Sequence, residues 1–290
     1  MNQNNMNVPA TGLNSRQVFR QRTITTVIGV PVVGAIIWFG EPMFTILAVA
    51  WGLGAANEFY GLIKRAKRLA PLTYFGLLWV ALFIAGPHSD LLAQPASSIL
   101  SPSFLLATAV IIPLIILLWR KGKENAFANW AWTIAGILYI GWLLRYMVDL
   151  RATDDGRAWV FLAVLCTFAS DICAYVIGRF LGRHKLAPYI SPNKTWEGTA
   201  GGIAGSLITC VAVAMLFNLP LEYWQAIVLG ILISIIGQLG DLVKSLFKRN
   251  VEVKDSGNVL PGHGGFLDRM DSLAFAGVTV FYYVEFIVRL

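Results

Sequence analysis

Nine apolar stretches, near residues 23–39, 42–63, 70–86, 102–119, 127–148, 158–181, 198–218, 223–247 and 267–288, take up most of this chain. A bilayer core about 30 Å thick takes about 20 apolar residues per helical crossing. Inside it, only structures that satisfy their own backbone hydrogen bonds are stable. Repeated stretches of this length predict an all-α polytopic integral membrane protein with about nine transmembrane helices. With 57% hydrophobic and 13% charged residues among 290, nothing is left over for a separate soluble catalytic domain.

Charge placement predicts the orientation. Lysine and arginine collect in cytoplasmic loops. With the N-terminus cytoplasmic, 19 of the 23 basic residues fall on that side, and only Arg145, Arg151, Arg157 and Arg289 fall outside. The expectation is N-in and C-out, in a membrane of the bacterial inner-membrane type, with any active site facing the cytoplasm. A net charge of +7 in so apolar a chain points to a cytoplasmic-leaflet bias or an anionic substrate, not to nucleic acid. Cys166, Cys173 and Cys210 all lie in apolar runs, so they read as small buried hydrophobes and not as a disulfide framework.

Residues 1–15 are polar and Asn-rich, a composition that predicts a disordered tail. Residues 16–157 are expected to form a scaffold of about five helices, supplying lipid-facing wall or a homodimer contact, and 158–290 a catalytic region of about four. The acidic residues suggest this division. The first five spans hold one, Glu58, whose role the sequence does not define, whereas Asp171, Asp241, Asp268 and Asp271 lie in or at the ends of later spans. An ionisable group at membrane depth costs at least about 2.5 kcal/mol on insertion scales, so such groups usually face a wet cavity and act there.

In a helix, Asp241, Lys244, Ser245 and Lys248 fall on one face, and Asp268 and Asp271, three apart, also point the same way. Carboxylates without surplus histidine or cysteine suit a hard, oxygen-preferring cation such as magnesium. Gly257, Pro261, Gly262, Gly264 and Gly265 surround His263 and permit close backbone approach to a ligand. Lys248, Arg249, Lys254 and Arg269 add positive charge beside the acids. Cations that neutralise phosphate next to carboxylates that hold magnesium are the parts phosphoryl or nucleotidyl transfer requires. The competing readings are a positive-inside loop for the basic residues, a salt-bridge network for the aspartates, and an ion-coupled transporter for the whole chain.

A second polar insertion, from Arg179 to Gly198, is predicted on the same side. Its prolines argue against a continuous helix, and Ser191-Pro192-Asn193-Lys194 reads as a turn presenting Lys194. Asp171 is either a metal ligand or the partner of a basic group. Gly198, Gly201, Gly202 and Gly205 predict close helix packing.

The run from Ser245 to Asp271 resembles the signature of the integral-membrane phosphatidate cytidylyltransferases, also called CDP-diacylglycerol synthases. The signature reads Ser-x-hydrophobic-Lys-Arg, four residues, Lys-Asp-x-small, two residues, hydrophobic, Pro-x-His-Gly-Gly-hydrophobic-x-Asp-Arg-hydrophobic-Asp. All 27 residues here comply. Asp171, Gly178-Arg179 and the run Ser191 to Gly198 resemble the family's other polar motif, so the likeness covers about 165–272.

The resemblance implies a magnesium-dependent transfer of the cytidylyl group of CTP to phosphatidic acid, with a second cation allowed. It implies a catalytic set of Asp241, Lys244, Lys248, Asp268 and Asp271, in which Asp241, Asp268 and Asp271 hold metal and Asp171 is a further candidate. Lys248, Arg249, Lys254 and Arg269 would meet the phosphates, and Lys194 and Lys244 either the lipid phosphate or the triphosphate. Ser245, Asp255 and His263 would orient substrate, Gly264 and Gly265 would cradle phosphate, and Asn193 and Glu197 would complete substrate binding. A related CTP-dependent enzyme acting on an isoprenoid or ether lipid phosphate is the alternative within the same broad class.

Overall fold

The computed structural model describes residues 15–86, 101–119, 124–253, 257 and 265–288, with side chains from residue 27 onward. The described residues form nine helical segments: α1 (Ser15–Phe39), α2 (Met43–Lys67), α3 (Thr73–Ala85), α4 (Pro102–Leu118), α5 (Ala126–Arg151), α6 (Gly156–Leu181), α7 (Trp196–Leu216), α8 (Tyr223–Asn250) and α9 (Asp271–Val288). Six of them, α2 and α5 to α9, are long and apolar enough to cross a membrane. Val27–Phe39 of α1, α3 and α4 are apolar but shorter. The result is an all-α membrane protein whose helices coincide with the apolar stretches to within a few residues, except that α1 begins at Ser15, eight residues before its apolar stretch. The Asn-rich residues 1–14 lie outside the described residues.

Local chemistry accounts for several helix ends. Ser101 accepts a hydrogen bond from the Phe104 amide and is followed by Pro102, a good opening for α4. Glu222 and Gln225 form a reciprocal capping box at the start of α8. Lys64, Arg65 and Lys67 crowd the last turn of α2, and Arg68 ends it with φ 52°. A π-helical turn, Ile137–Trp142, interrupts α5.

One apolar core joins both halves of the chain, drawing Ala55, Tyr60 and Ile63 from α2, Ile140 and Val148 from α5, Trp159 and Leu162 from α6, Leu229 and Ile233 from α8 and Val280 from α9. In a bilayer, burial alone favours helix contact little, because lipid tails are as apolar as leucine; close packing at small residues favours it more. The glycine run of α7 supplies that closeness. A Cβ at Gly198 would lie 2.8 Å from the Ala174 carbonyl oxygen, at Gly202 3.0 Å from that of Ser170, and at Gly205 2.5 Å from Cys173 Sγ. Among the described residues, the α6–α7 pair accordingly makes the most extensive helix contact. Cys166 and Cys210 are buried and all three cysteines are free thiols.

Two expectations need correction. The segment Ser191–Lys194 is not a turn. It belongs to strand β2 (Ser191–Thr195), paired antiparallel with β1 (Lys185–Ala187) in the register Lys185↔Thr195 and Ala187↔Ser191. Reversal occurs instead at 188–190, where Pro188 fixes the backbone; Pro192 is tolerated because a two-stranded hairpin is all edge. Nor do Asp268 and Asp271 share one regular helix. Asp268 sits in a 3-10 turn, Leu267–Arg269, and Asp271 opens α9.

Candidate active site

The C-terminal half of α8 carries a polar stripe, Gln238, Asp241, Lys244, Ser245 and Lys248, at the three- and four-residue spacing of one helix face. Across from it come the 3-10 turn and the start of α9, and from a third side strand β2. Lys194 reaches from β2 to place Nζ 2.6 Å from Asp241 Oδ2 and to donate to the Gln238 carbonyl at 3.2 Å. Lys244 Nζ lies 3.0 Å from Asp241 Oδ1 and 2.5 Å from Asp271 Oδ2, and donates to the Asp268 carbonyl at 3.0 Å. Its ammonium group therefore lies against two carboxylates and one backbone carbonyl at once. One turn further along α8, Lys248 Nζ meets Asp268 Oδ1 at 2.8 Å, while the Gly265 amide donates to Asp268 Oδ2 at 3.2 Å.

The pairing has a simple cause. Lysines four apart on α8 stand one helical turn apart, and Asp268 in the 3-10 turn and Asp271 at the first residue of α9 stand about as far apart in the opposite direction. Lys244 thus takes Asp271 and Lys248 takes Asp268. Three ammonium groups against three carboxylates balance, so the cluster can be withdrawn from water; the side chains of Lys244 and Asp271 are only 12% and 6% exposed. A cluster of this kind can exchange its internal anions for the phosphates of a ligand.

Sequence comparison gives the cluster a context. The model of the cytidylyltransferase family matches residues 20–287. The chain belongs to the cytidylyltransferase family. It is 34% identical over 259 residues to a phosphatidate cytidylyltransferase of Bacillus subtilis, covering 88% of this chain and 94% of the relative. It is 35% identical over 263 residues to one of Brucella suis, covering 90% and 92%. A Staphylococcus saprophyticus relative of the same name is 40% identical over 172 residues, 59% of this chain and 65% of its own. The protein is therefore an enzyme, a nucleotidyltransferase, and the cytidylyltransferase match takes in α1 to α5 as well as the polar C-terminal motifs.

Within this cytidylyltransferase, Asp241, Lys244, Lys248, Asp268, Asp271, Lys194 and Gly265 come together. Ser245 is half-buried beside Lys244 on α8. Asp171 lies on the exposed side of α6, within electrostatic reach of Asp241, Lys194, Lys244 and Arg269. Arg249 and Arg269 are exposed, and Arg249 Nε donates to the Ile190 carbonyl at 3.4 Å, tying α8 to the hairpin. Asn193 is exposed on β2. Glu197 stands apart from the cluster: it accepts from the Arg183 and His184 amides at 3.1 and 3.2 Å and faces His184 Nδ1 at 2.6 Å, closing the hairpin base. Lys254, Asp255, Pro261, Gly262, His263 and Gly264 lie outside the described residues.

Residues without a sequence-derived role also gather here. Glu58 on α2 accepts from the Phe266 and Leu267 amides, both at 3.0 Å. Trp51 Nε1 donates to the Phe266 carbonyl at 3.2 Å, and its ring meets that of Phe266 edge-on. The Tyr139 hydroxyl, on the π-helical turn of α5, is buried without a hydrogen-bond partner among the described residues and within electrostatic reach of Asp271 and Asp241. A lone acid within an apolar run was the one signal that could have singled out Glu58; Trp51 and Tyr139 look like any aromatic residue of a membrane helix.

Proposed function

We propose that this enzyme transfers the cytidylyl group of CTP to phosphatidic acid, giving CDP-diacylglycerol and pyrophosphate. The observation that carries the reading is the interlocked set of three lysines and three aspartates where α8, α9 and β2 meet, in a body of helices apolar enough for a membrane. The names of the relatives, which align over 88–90% of the chain, support the acceptor. We further read the nine helices as nine crossings with the N-terminus in the cytoplasm. The hairpin after α6 and the C-terminal end of α8 meet through Arg249 and Ile190, and Arg183, Lys185, Lys194, Lys244, Lys248 and Arg249 collect there, as the cytoplasmic side requires.

The phosphate of phosphatidic acid is already an anionic nucleophile, so no strong general base is needed. Its oxygen forms a bond to the α-phosphorus of CTP while the bond from that phosphorus to the bridging oxygen breaks, and pyrophosphate leaves in line. The protein must bring two anions together and stabilise the departing charge. Lys194, Lys244 and Lys248 are compact point charges on flexible stems. In the resting enzyme they are neutralised by aspartates, and a phosphate ligand draws them away from those partners.

The carboxylates so released are hard oxygen donors. Among the described residues no three acidic, histidine or cysteine side chains form a closed metal site, but magnesium commonly takes only one or two carboxylates and completes its shell with phosphate oxygens and water. Asp241, Asp268 and Asp271 fit that need. When bound there, the ion would offset triphosphate charge.

The acceptor is tested with detergent-purified protein, labelled CTP and magnesium, comparing phosphatidic acid with a polyprenyl phosphate. Lipid-extractable cytidine should form with phosphatidic acid. Product from the polyprenyl phosphate alone would replace the proposed acceptor.

A further inference from the structure

We infer that Glu58 is a positioning residue of the active site, acting from α2 through the backbone of Phe266 and Leu267 to set the place of Asp268. The two amides it receives, each at 3.0 Å, are consecutive and open the 3-10 turn that carries Asp268 as its next residue. The first amides of a helical turn have no partner within it, and a carboxylate is their strongest acceptor, because charge-assisted bonds are about twice as strong as neutral ones.

Three further contacts tie the same spot to α2. Trp51 Nε1 holds the Phe266 carbonyl, and the Phe266 ring lies so close over Gly54 that a Cβ there would approach it to 2.6 Å. Glu58 also reaches the other side of the signature run, since a Cβ on Gly257 would lie 2.7 Å from Glu58 Oε1. One carboxylate therefore abuts both Gly257 and the Phe266–Leu267 step, which are distant in sequence from α2. Its geometry explains why a charge is kept in an otherwise apolar helix: two amide donors offset the cost of placing it there.

The consequence is functional because the turn anchored on Glu58 delivers Asp268 to the lysines of α8. Its carboxylate is held by Lys248 and the Gly265 amide, and its carbonyl by Lys244. Both lysines are the groups that a phosphate ligand would draw away, whereas the α2 contacts are made to the backbone of the turn and persist when substrate binds. A displacement of about 1 Å at a reacting centre costs on the order of a hundredfold in rate.

The test uses the full-length protein in detergent with Glu58→Ala, Glu58→Gln and Trp51→Phe. Hydrogen exchange needs no substrate: the Phe266 and Leu267 amides should exchange faster in Glu58→Ala at unchanged melting temperature. The kinetic measurement rests on the proposed lipid cytidylyl transfer. There, kcat should fall by about tenfold to a hundredfold with a smaller change in the KM for CTP. Glu58→Gln, which retains one acceptor oxygen, should recover part of the loss. If exchange and kcat both stay at wild-type values, or if activity falls only in step with the folded fraction and Glu58→Gln gives no rescue, the inference fails. A wild-type protein that makes no lipid-linked cytidine would instead contradict the proposed reaction, and the exchange result would still decide the role of Glu58.

Discussion

Asp268 is the residue at which the interactions of the site converge, and its substitution separates a working role from a structural one. Asp268→Asn keeps shape and hydrogen-bonding capacity but removes the charge facing Lys248 and any bound cation. Turnover should fall by about a hundredfold or more, as when a preorganised electrostatic contact is lost, and the magnesium concentration for half-maximal rate should rise. If the aspartates only balanced the lysines, the variant would melt earlier in detergent yet keep its turnover and its normal magnesium dependence. At this scale the sequence was informative about types and spacing. The i, i+3 and i, i+4 positions of Asp241, Lys244 and Lys248 put them on one face, as found. It could not show that each aspartate is engaged by a lysine, since that depends on how closely α8 approaches the turn before α9. Glu58 was visible as an oddity, but its partners lie more than two hundred residues away and are backbone amides, which carry no residue-type signal.

At the level of elements, hydropathy located the helices well because a bilayer imposes a length and composition on each one. The β1–β2 hairpin escaped because its strands are three and five residues long and its prolines look like turn residues. The 3-10 turn escaped because a helical spacing of three residues suits either kind of helix. The glycine run of α7 was read as close packing, and the contacts of Gly198, Gly202 and Gly205 with α6 agree. That packing can be tested by a pair of alanine substitutions. Gly202→Ala places a methyl 2.8 Å from Gln238 Nε2 and 3.0 Å from the Ser170 carbonyl oxygen, so it should destabilise by about 1–3 kcal/mol and lower the melting temperature in detergent. Gly61→Ala meets nothing within 4 Å and should be neutral or stabilising, because alanine favours a helix by up to about 1 kcal/mol over glycine. Equal melting temperatures for the two variants would mean that α6 and α7 are not held at glycine contact.

For the molecule as a whole, a division into an N-terminal scaffold and a C-terminal catalytic region understates how the two halves combine. The core is continuous across both, and α2 and α5 bring Trp51, Glu58 and Tyr139 to the charged cluster. The central claim is that this cluster moves a nucleotidyl group, and not a terminal phosphate, onto a lipid. It is tested most directly by following two labels through one reaction, CTP carrying phosphorus-32 at the α position in one sample and at the γ position in the other, each with phosphatidic acid and magnesium. The account predicts α label in the lipid extract and γ label in pyrophosphate. Appearance of γ label in the lipid, with α label retained in a soluble nucleotide, would contradict it.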